Sequence, residues 1–397
     1  MKILFLSTWF PYPPDQGSKI RAYHLLRSLA RHHDVALISF EDQPLQPAWI
    51  DHVGQLCAQL EIVRRKPFAD LESNRWQGVF SKLPRAVVAG YSPEMEARVR
   101  QVGSAWKPEV VVALTFVTAP YVRQVPAARH VVDVDNLTAR MLGEAYRQET
   151  RWAARLRRYL AYRKFRAYES GLFGDFDLCL VTSRRDAERL AAEIAGGTDR
   201  IEVVPNGVDL EYNRPTGDPR RPTQLVFTGA LTYEPNLDAM RYFLERIFPQ
   251  VLAEEDSARL VITGRTGGAT LPTSNGHVTL TGYLEDIRPA VAGSAASVVP
   301  LRKGAGTRLK ILEAMALGTP VVSTTKGAEG LELDPGIHLL IADAPGHFAR
   351  ETIRLLRQPD LGRELAERAY ARIRQTYDWA DIGNAFRSRV ESLVEMP

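Results

Sequence analysis

The segment SVVPLRKGAGTRLKILEAMALGTPVVST, residues 297–324, constrains the fold more than any other stretch of the chain. It reads as a short buried strand over 297–301, a glycine-rich turn over 303–306, a helix over 307–317 and a second strand over 320–324. A turn of this kind opening a helix leaves free backbone N–H groups and the positive end of the helix dipole facing whatever lies in front. That is an anion site, and phosphate is its usual occupant. Arg308 and Lys310 fall in the expected first helical turn, where cations are unfavourable to the helix itself. Their presence points to an anion beyond what the dipole alone would hold. Glu313 follows about one and a half turns further on.

The same design recurs upstream. LVFTG, LVITG and VTLTG are three short strands, each ending in Thr-Gly. A glycine just past a strand permits a tight strand-to-helix turn and the close approach of a ligand. Gly229, Gly264 and Gly282 would therefore line one sheet edge together with Gly304 and Gly306. Several such turns converging on one edge are a stronger sign than any single glycine.

The first half begins with KILFLST, residues 2–8, the mark of a strand buried on both faces of a parallel sheet. A Pro/Gly-rich loop runs through Gly17, and an amphipathic helix is expected from about 18 to 31, carrying Arg21. Apolar runs follow at 34–40, 110–114, 129–135, 177–183 and 201–205, with helical patterns between most of them. This alternation predicts a doubly wound α/β domain, whose ligands bind at the carboxyl ends of the strands. HVVDVDN carries an Asp-x-Asp pair at Asp133 and Asp135, and Asp175 with Asp177 makes another. Two such pairs in a chain of this acidity are close to chance, so no metal site is inferred. His130, at the start of its strand, reads as structural, and Ser183 as the cap of the helix beginning SRRDAERL. Pro, Gly and Asn cluster over 205–224, where hydrophobic periodicity stops and the domains divide.

A chain of 397 residues suits two domains of roughly 200 residues each. Its apolar and charged fractions are those of an ordinary soluble globular protein. Cys57 and Cys179 sit in apolar surroundings and read as buried thiols of a reducing compartment. The N terminus lacks the longer apolar core of a signal peptide, and no apolar run approaches the length of a membrane span. A cytoplasmic location is expected. A net charge of +4 is too small to argue for nucleic acid. Residues 147–166, however, hold eight basic residues and one acid, with Trp152, Leu156, Tyr159 and Leu160 at helical spacing. The pattern predicts a long helix with its apolar stripe on the core and a solvated basic face. The alternative is a face that meets anionic lipid, at the inner side of the membrane, or a phosphate-bearing acceptor.

LKILEAMALGTPVVST resembles the nucleotide-sugar signature of the retaining glycosyltransferases of family 4. The resemblance covers nearly the whole chain. It implies the GT-B fold, two facing Rossmann-like doubly wound domains with a cleft between them. The first would be an acceptor-binding domain over 1–206, the second a nucleotide-sugar domain over 207–377, with a final helix at 378–397 packing back on the first. Family members usually carry two glutamates separated by seven residues. The second matches Glu313, which would hold the donor ribose; the first falls on Ala305, so that contact to the donor sugar is missing.

By the same resemblance Gly17 and Arg21 match the loop that approaches the donor phosphate. Tyr283, in GYLED, lies in the segment beside the nucleobase, and Asp135 stands where relatives often carry a histidine near the donor sugar. Glu169 and Ser183 are further family positions. Many members clamp the diphosphate with an Arg and a Lys in the loop after the first strand of the second domain. Here that loop, GALTYEPNLDAM, has neither. Arg308 and Lys310, with Arg265 behind them, are expected to take over that work.

The implied activity is metal-independent transfer of a sugar from a nucleoside diphosphate donor, of UDP or GDP type, to a glycan, lipid-linked or small-molecule hydroxyl, without a further cofactor. Asp135, Arg308 and Lys310 are the implied catalytic residues. Gly17, Arg21, Gly229, Gly264, Arg265, Tyr283, Gly306, Thr307, Leu309 and Glu313 are the implied donor contacts. A nucleotide-sugar epimerase of the same fold, and a partner protein without activity, are the competing readings.

Overall fold

The N-terminal apolar run forms strand β1, Lys2–Ser7, whose Ile3, Leu4, Phe5 and Leu6 are completely buried. The computed structural model describes residues 1–41, 44–65, 83–193, 198–215, 220–272, 276–304, 306 and 308–395. The chain divides into two units, Met1–Pro205 with Ile382–Pro397, and Asn206–Asp381.

In the first unit β1 is followed by β2 (Asp34–Glu41), β3 (Gln59–Arg64), β4 (Val110–Leu114), β5 (Arg129–Asp133), β6 (Leu178–Val181) and β7 (Ile201–Val203). They make one seven-stranded parallel sheet in the order β3-β2-β1-β4-β5-β6-β7. Ile3 lies opposite Val35 on one side and Val110 on the other. Burial on both faces is why these strands read as unbroken apolar runs. β3 has no such run: it is an edge strand, and of its residues only Val63 is buried, so its pattern is weak. Within this unit the last helix, Trp379–Glu395, is tied down from Ile382 onward. Glu391 meets His33 Nε2 at 2.8 Å and Arg389 meets Glu202 at 2.5 Å.

The long basic helix, Trp152–Phe173, departs from expectation. Of the expected apolar stripe only Tyr159 packs inward. Trp152 is 79% exposed, Leu156 52% and Leu160 54%. Phe165, Leu172 and Phe173 bury its C-terminal half. The N-terminal half packs on the preceding helix, Thr138–Gln148, through Tyr146, whose ring lies 5.2 Å from Tyr159 and 6.4 Å from Tyr162. Tyr159 and Tyr162 thus occupy the inner face and leave Trp152, Leu156 and Leu160 outside.

The second unit holds β8 (Arg221–Thr228), β9 (Arg259–Thr263), β10 (Val278–Gly282), β11 (Ser294–Val299), β12 (Val321–Ser323) and β13 (Leu340–Ile341). These form a six-stranded parallel sheet in the order β10-β9-β8-β11-β12-β13. The three Thr-Gly strands are therefore neighbours. The helix after the glycine-rich turn runs Leu309–Ala316, with Arg308 in a non-helical N-cap conformation. Lys310 lies in the first turn as expected, but Arg308 precedes it. Leu312, Met315 and Ile311 bury this helix against the sheet.

Candidate functional site

The three Thr-Gly ends are laced together by backbone. Gly229 N–H donates to the Thr263 carbonyl at 3.1 Å, and Gly264 N–H to the Gly282 carbonyl at 2.8 Å. Gly264 has φ +112°, and a Cβ there would lie 2.6 Å from the Gly229 carbonyl carbon. Its glycine is required by the neighbouring turn itself. Gly229, at φ +142°, is different: a Cβ would lie 2.7 Å from Asn236 Nδ2 and 2.8 Å from Lys310 Nζ. This glycine leaves room for two side chains that arrive from elsewhere.

Lys310 is the centre of that arrangement. Its Nζ donates to Asn236 Oδ1 at 3.0 Å and stands 3.9 Å from the centroid of the Phe227 ring. Asn236 Nδ2 in turn donates to the Ala230 carbonyl at 2.9 Å. The loop that lacks its own cation therefore receives one from the glycine-rich turn's helix. Among the described residues no carboxylate lies within salt-bridge distance of Lys310. Burial pushes its amine down to about 7, and Arg308 adds to the drop while Glu313 opposes it. The other lysine of the segment is neutralised: Lys303 pairs with Glu234 at 2.6 Å and Asp238 at 3.3 Å. Arg302 pairs with Asp238 at 2.7 Å. Among the described residues the helix start has no acidic residue in its first turn, and Arg308 gives it no side-chain cap. An ammonium beside an uncapped helix N terminus is suited to an anion with several acceptor oxygens.

Arg308 does not extend outward as its expected role required. It is 6% exposed, and its Nη2 donates back to the Gly304 carbonyl at 2.8 Å. The guanidinium braces the turn. Gly304, φ +102°, packs against Pro235 and Tyr233, and Gly306 has φ +86°. Leu309 is partly exposed at the head of the helix. Ala305 and Thr307 lie outside the described residues. Glu313 is partly exposed, and burial raises its carboxyl while Lys310 opposes the rise. Among the described residues no donor bonds that carboxylate. Tyr283 is 51% exposed, with exposed Arg265 over its ring at 5.4 Å. Tyr212 is half exposed, has the Arg288 guanidinium 4.0 Å from its ring centroid, and feels the charge of Glu313.

In the first unit, polar groups gather where strands end. Thr8, just past β1, donates to the Leu114 carbonyl at 2.7 Å and lies 2.9 Å from Thr115 Oγ1. Asp135, past β5, accepts from Ser18 Oγ at 2.7 Å, and its carbonyl accepts from Thr182 at 3.3 Å. Thr115 and Asp135 are non-glycine residues at φ +65° and +29°. Both lie at the ends of adjacent strands, and backbone strain of this kind is often held at sites that bind or react.

Arg21 is placed differently from expectation. It is 1% exposed; Nε and Nη2 donate to the Asp133 carboxylate at 2.7 and 2.5 Å, and Nη1 donates to the Val204 carbonyl at 2.9 Å. It is a brace inside the unit, not a surface phosphate contact. Gly17 opens the helix Gly17–Ala30 and is exposed. Asp175 and Asp177 are engaged by Arg123 and Arg129, so neither Asp-x-Asp converges on one point. His130 bonds the Val125 carbonyl as a structural residue. Ser183 accepts from Asp186 N–H and caps its helix. Glu169 accepts from the N–H groups of Thr138 and Ala139, and burial pushes its carboxyl up to about 7.

Residues 16–207 match the family described as Glycosyl transferase 4-like domain, and residues 222–358 that described as Glycosyl transferases group 1. The chain belongs to the group 1 glycosyl transferases. This glycosyltransferase is similar to an uncharacterized 44.6 kDa protein of the cps region of Klebsiella pneumoniae, 21% identical over 95% of this chain and 96% of the relative. In structure it is similar to sucrose-phosphate synthase from Thermosynechococcus elongatus, at TM-score 0.75, with 16% identity and all of both chains covered. Anabaena HepE, solved in complex with UDP and glucose, matches at TM-score 0.68 and 14% identity, over 99% of this chain and 100% of its own. These likenesses are of fold, and the fold is GT-B.

Three residues of these two candidate clusters in the glycosyltransferase escaped sequence reasoning. Asn236 stood in the sequence only as the end of a loop, because its contact with Lys310 spans 74 positions. Tyr212 lay in a segment read as a linker. Thr115 was visible only as the polar residue that stops an apolar run, a signal shared by Thr8 and Thr182.

Proposed function

We propose that this glycosyltransferase moves a sugar from a nucleoside diphosphate donor of UDP or GDP type to a hydroxyl acceptor, with retention and without a metal. The observation that carries the reading is Lys310, an ammonium without a carboxylate partner among the described residues, at an uncapped helix start beside the Gly229 turn. Departure of a diphosphate requires charge stabilisation more than a protein nucleophile. Lys310 and the helix N–H groups would supply it, and Glu313 would hold the ribose. Arg308 would act by shaping the turn. HepE, a relative in fold, binds UDP, which favours UDP over GDP as the first nucleotide to try. Asp135 would contact sugar or acceptor in the first unit.

The acceptor would be a glycan, a lipid-linked sugar or a small molecule, in bacterial cell-surface polysaccharide or natural-product glycoside synthesis. A cytoplasmic location at the inner membrane face belongs to the same reading. No described helix is long and apolar enough to cross a membrane.

The test is thermal unfolding of wild type and Glu313→Ala with UDP, GDP, ADP, CMP and TDP. A nucleotide at 100 times its Kd adds about 2.7 kcal/mol. One nucleotide should shift the wild type and leave the variant unmoved. No shift with any of them would overturn the donor assignment. Undiminished transfer in the presence of a chelator is the matching result for metal independence.

A further inference from the structure

Trp152, Leu156 and Leu160 are spaced by four along one helix, so they share a face, and all three are more than half exposed. A stripe of large apolar side chains left in water marks an interaction surface. The charges around it are unusual as well. Glu149, the one acid of the segment, is engaged by Arg158 at 3.2 Å and by Arg151 at 3.7 Å. Arg155, Arg157 and Arg163 have no carboxylate partner among the described residues. Arg155 rests over the Tyr146 ring and Arg163 reaches the Tyr159 hydroxyl, and both of these partners are neutral.

We infer that this helix face docks on an anionic lipid bilayer, with Trp152, Leu156 and Leu160 entering the interface and Arg155, Arg157 and Arg163 meeting the headgroup phosphates. The surface adds to the membrane location proposed above and rests on this helix, not on the donor chemistry. A tryptophan beside leucines, flanked by arginines whose long stems can reach past them, is the composition of a helix lying in the plane of a membrane surface. Nucleic acid would use the arginines but gives the leucines no environment to enter. A second copy of the chain would bring the same unpaired arginines against themselves across a two-fold axis. Only an anionic partner with an apolar layer beneath its charges satisfies both sets of side chains.

The full chain is sedimented with vesicles of phosphatidylcholine alone and with vesicles of phosphatidylcholine and phosphatidylglycerol in about equal parts. Wild type should pellet with the mixed vesicles at low salt, stay in solution with phosphatidylcholine, and be released as salt is raised. Trp152→Ser/Leu156→Ser/Leu160→Ser and Arg155→Gln/Arg157→Gln/Arg163→Gln should each lower partitioning at least tenfold; each arginine is worth roughly fivefold near an anionic leaflet. All six side chains are at or near the surface, so unchanged unfolding midpoints are expected and are measured alongside. The inference fails if wild type stays in solution with anionic vesicles, or if the serine variant pellets as wild type does. It fails equally if wild type is a dimer by light scattering and the serine variant a monomer, since the face is then a protein interface. Donor binding by nucleotide-induced thermal shift is independent of all three outcomes, so the two readings can fall separately.

Discussion

The Lys310 ammonium donates to Asn236 Oδ1 at 3.0 Å and so joins two strand-end loops 74 positions apart in the chain. The pairing is neutral on the asparagine side, so the charge of Lys310 is oriented without being cancelled. Gly229 lies under both groups with no side chain of its own, and Phe227 covers the ammonium from behind. A lysine held this way has given up hydration that the oxygens of a diphosphate, as proposed above, would replace.

Proton linkage follows from that geometry. The Lys310 amine sits at about 7 in the free protein. A bound diphosphate favours the charged form and raises it. Binding above pH 7 must therefore take up a proton, and affinity should be flat below pH 7 and fall by up to tenfold per unit above it. Calorimetric titration with UDP in buffers of different ionisation heat will measure the uptake. Lys310→Met should bind more weakly and lose the uptake; an unchanged proton count in the variant would show that another group is responsible.

Gly264 and Gly282 should respond differently to alanine. Both have φ in the left-handed range, at +112° and +71°. A Cβ at Gly282 meets open space, whereas one at Gly264 runs into the Gly229 backbone. Gly282→Ala should cost about 1 kcal/mol and Gly264→Ala about 3 kcal/mol. Urea midpoints of the two variants test the ranking.

The buried Arg21–Asp133 pair braces the first unit from β5 to the chain segment at Val204. Burial raises the Asp133 carboxyl, and the bidentate guanidinium opposes that rise. Asp133→Ala leaves an uncompensated cation in the core and should cost about 3–5 kcal/mol. Arg21→Met/Asp133→Leu should recover most of it, as measured by denaturant unfolding. A double variant no more stable than Asp133→Ala would show that the carbonyl bonds of Arg21 carry the larger share.

Glu169 should make stability fall with rising pH. Its carboxyl is about 7 in the fold and near 4.5 when unfolded, so the folded state holds the proton more tightly. Its contribution is full below pH 4.5 and is lost as pH rises through 7, by up to about 3 kcal/mol. Wild type should therefore lose ground to Glu169→Gln across that window. Parallel stability curves for the two proteins would contradict this.

The chain's own order of residues determined the two doubly wound sheets, because a strand buried on both faces must be apolar throughout and cannot hide it. β1, β4, β8 and β9 were legible for that reason, and so were the glycine turns, where a positive φ leaves few other choices. The edge strand β3, partly exposed, carried no such mark. Tertiary structure alone decided what each cation does. Arg21, Arg308 and Lys310 look alike in a sequence; the first is locked on Asp133, the second folded on Gly304, and the third is held without a carboxylate partner among the described residues. The same holds for the helix Trp152–Phe173, where Tyr159 and Tyr162 pack on Tyr146 of the preceding helix and Trp152, Leu156 and Leu160, expected on the core, face out. Spacing along a helix specifies which side chains share a face, but which face turns inward depends on the neighbour it packs against.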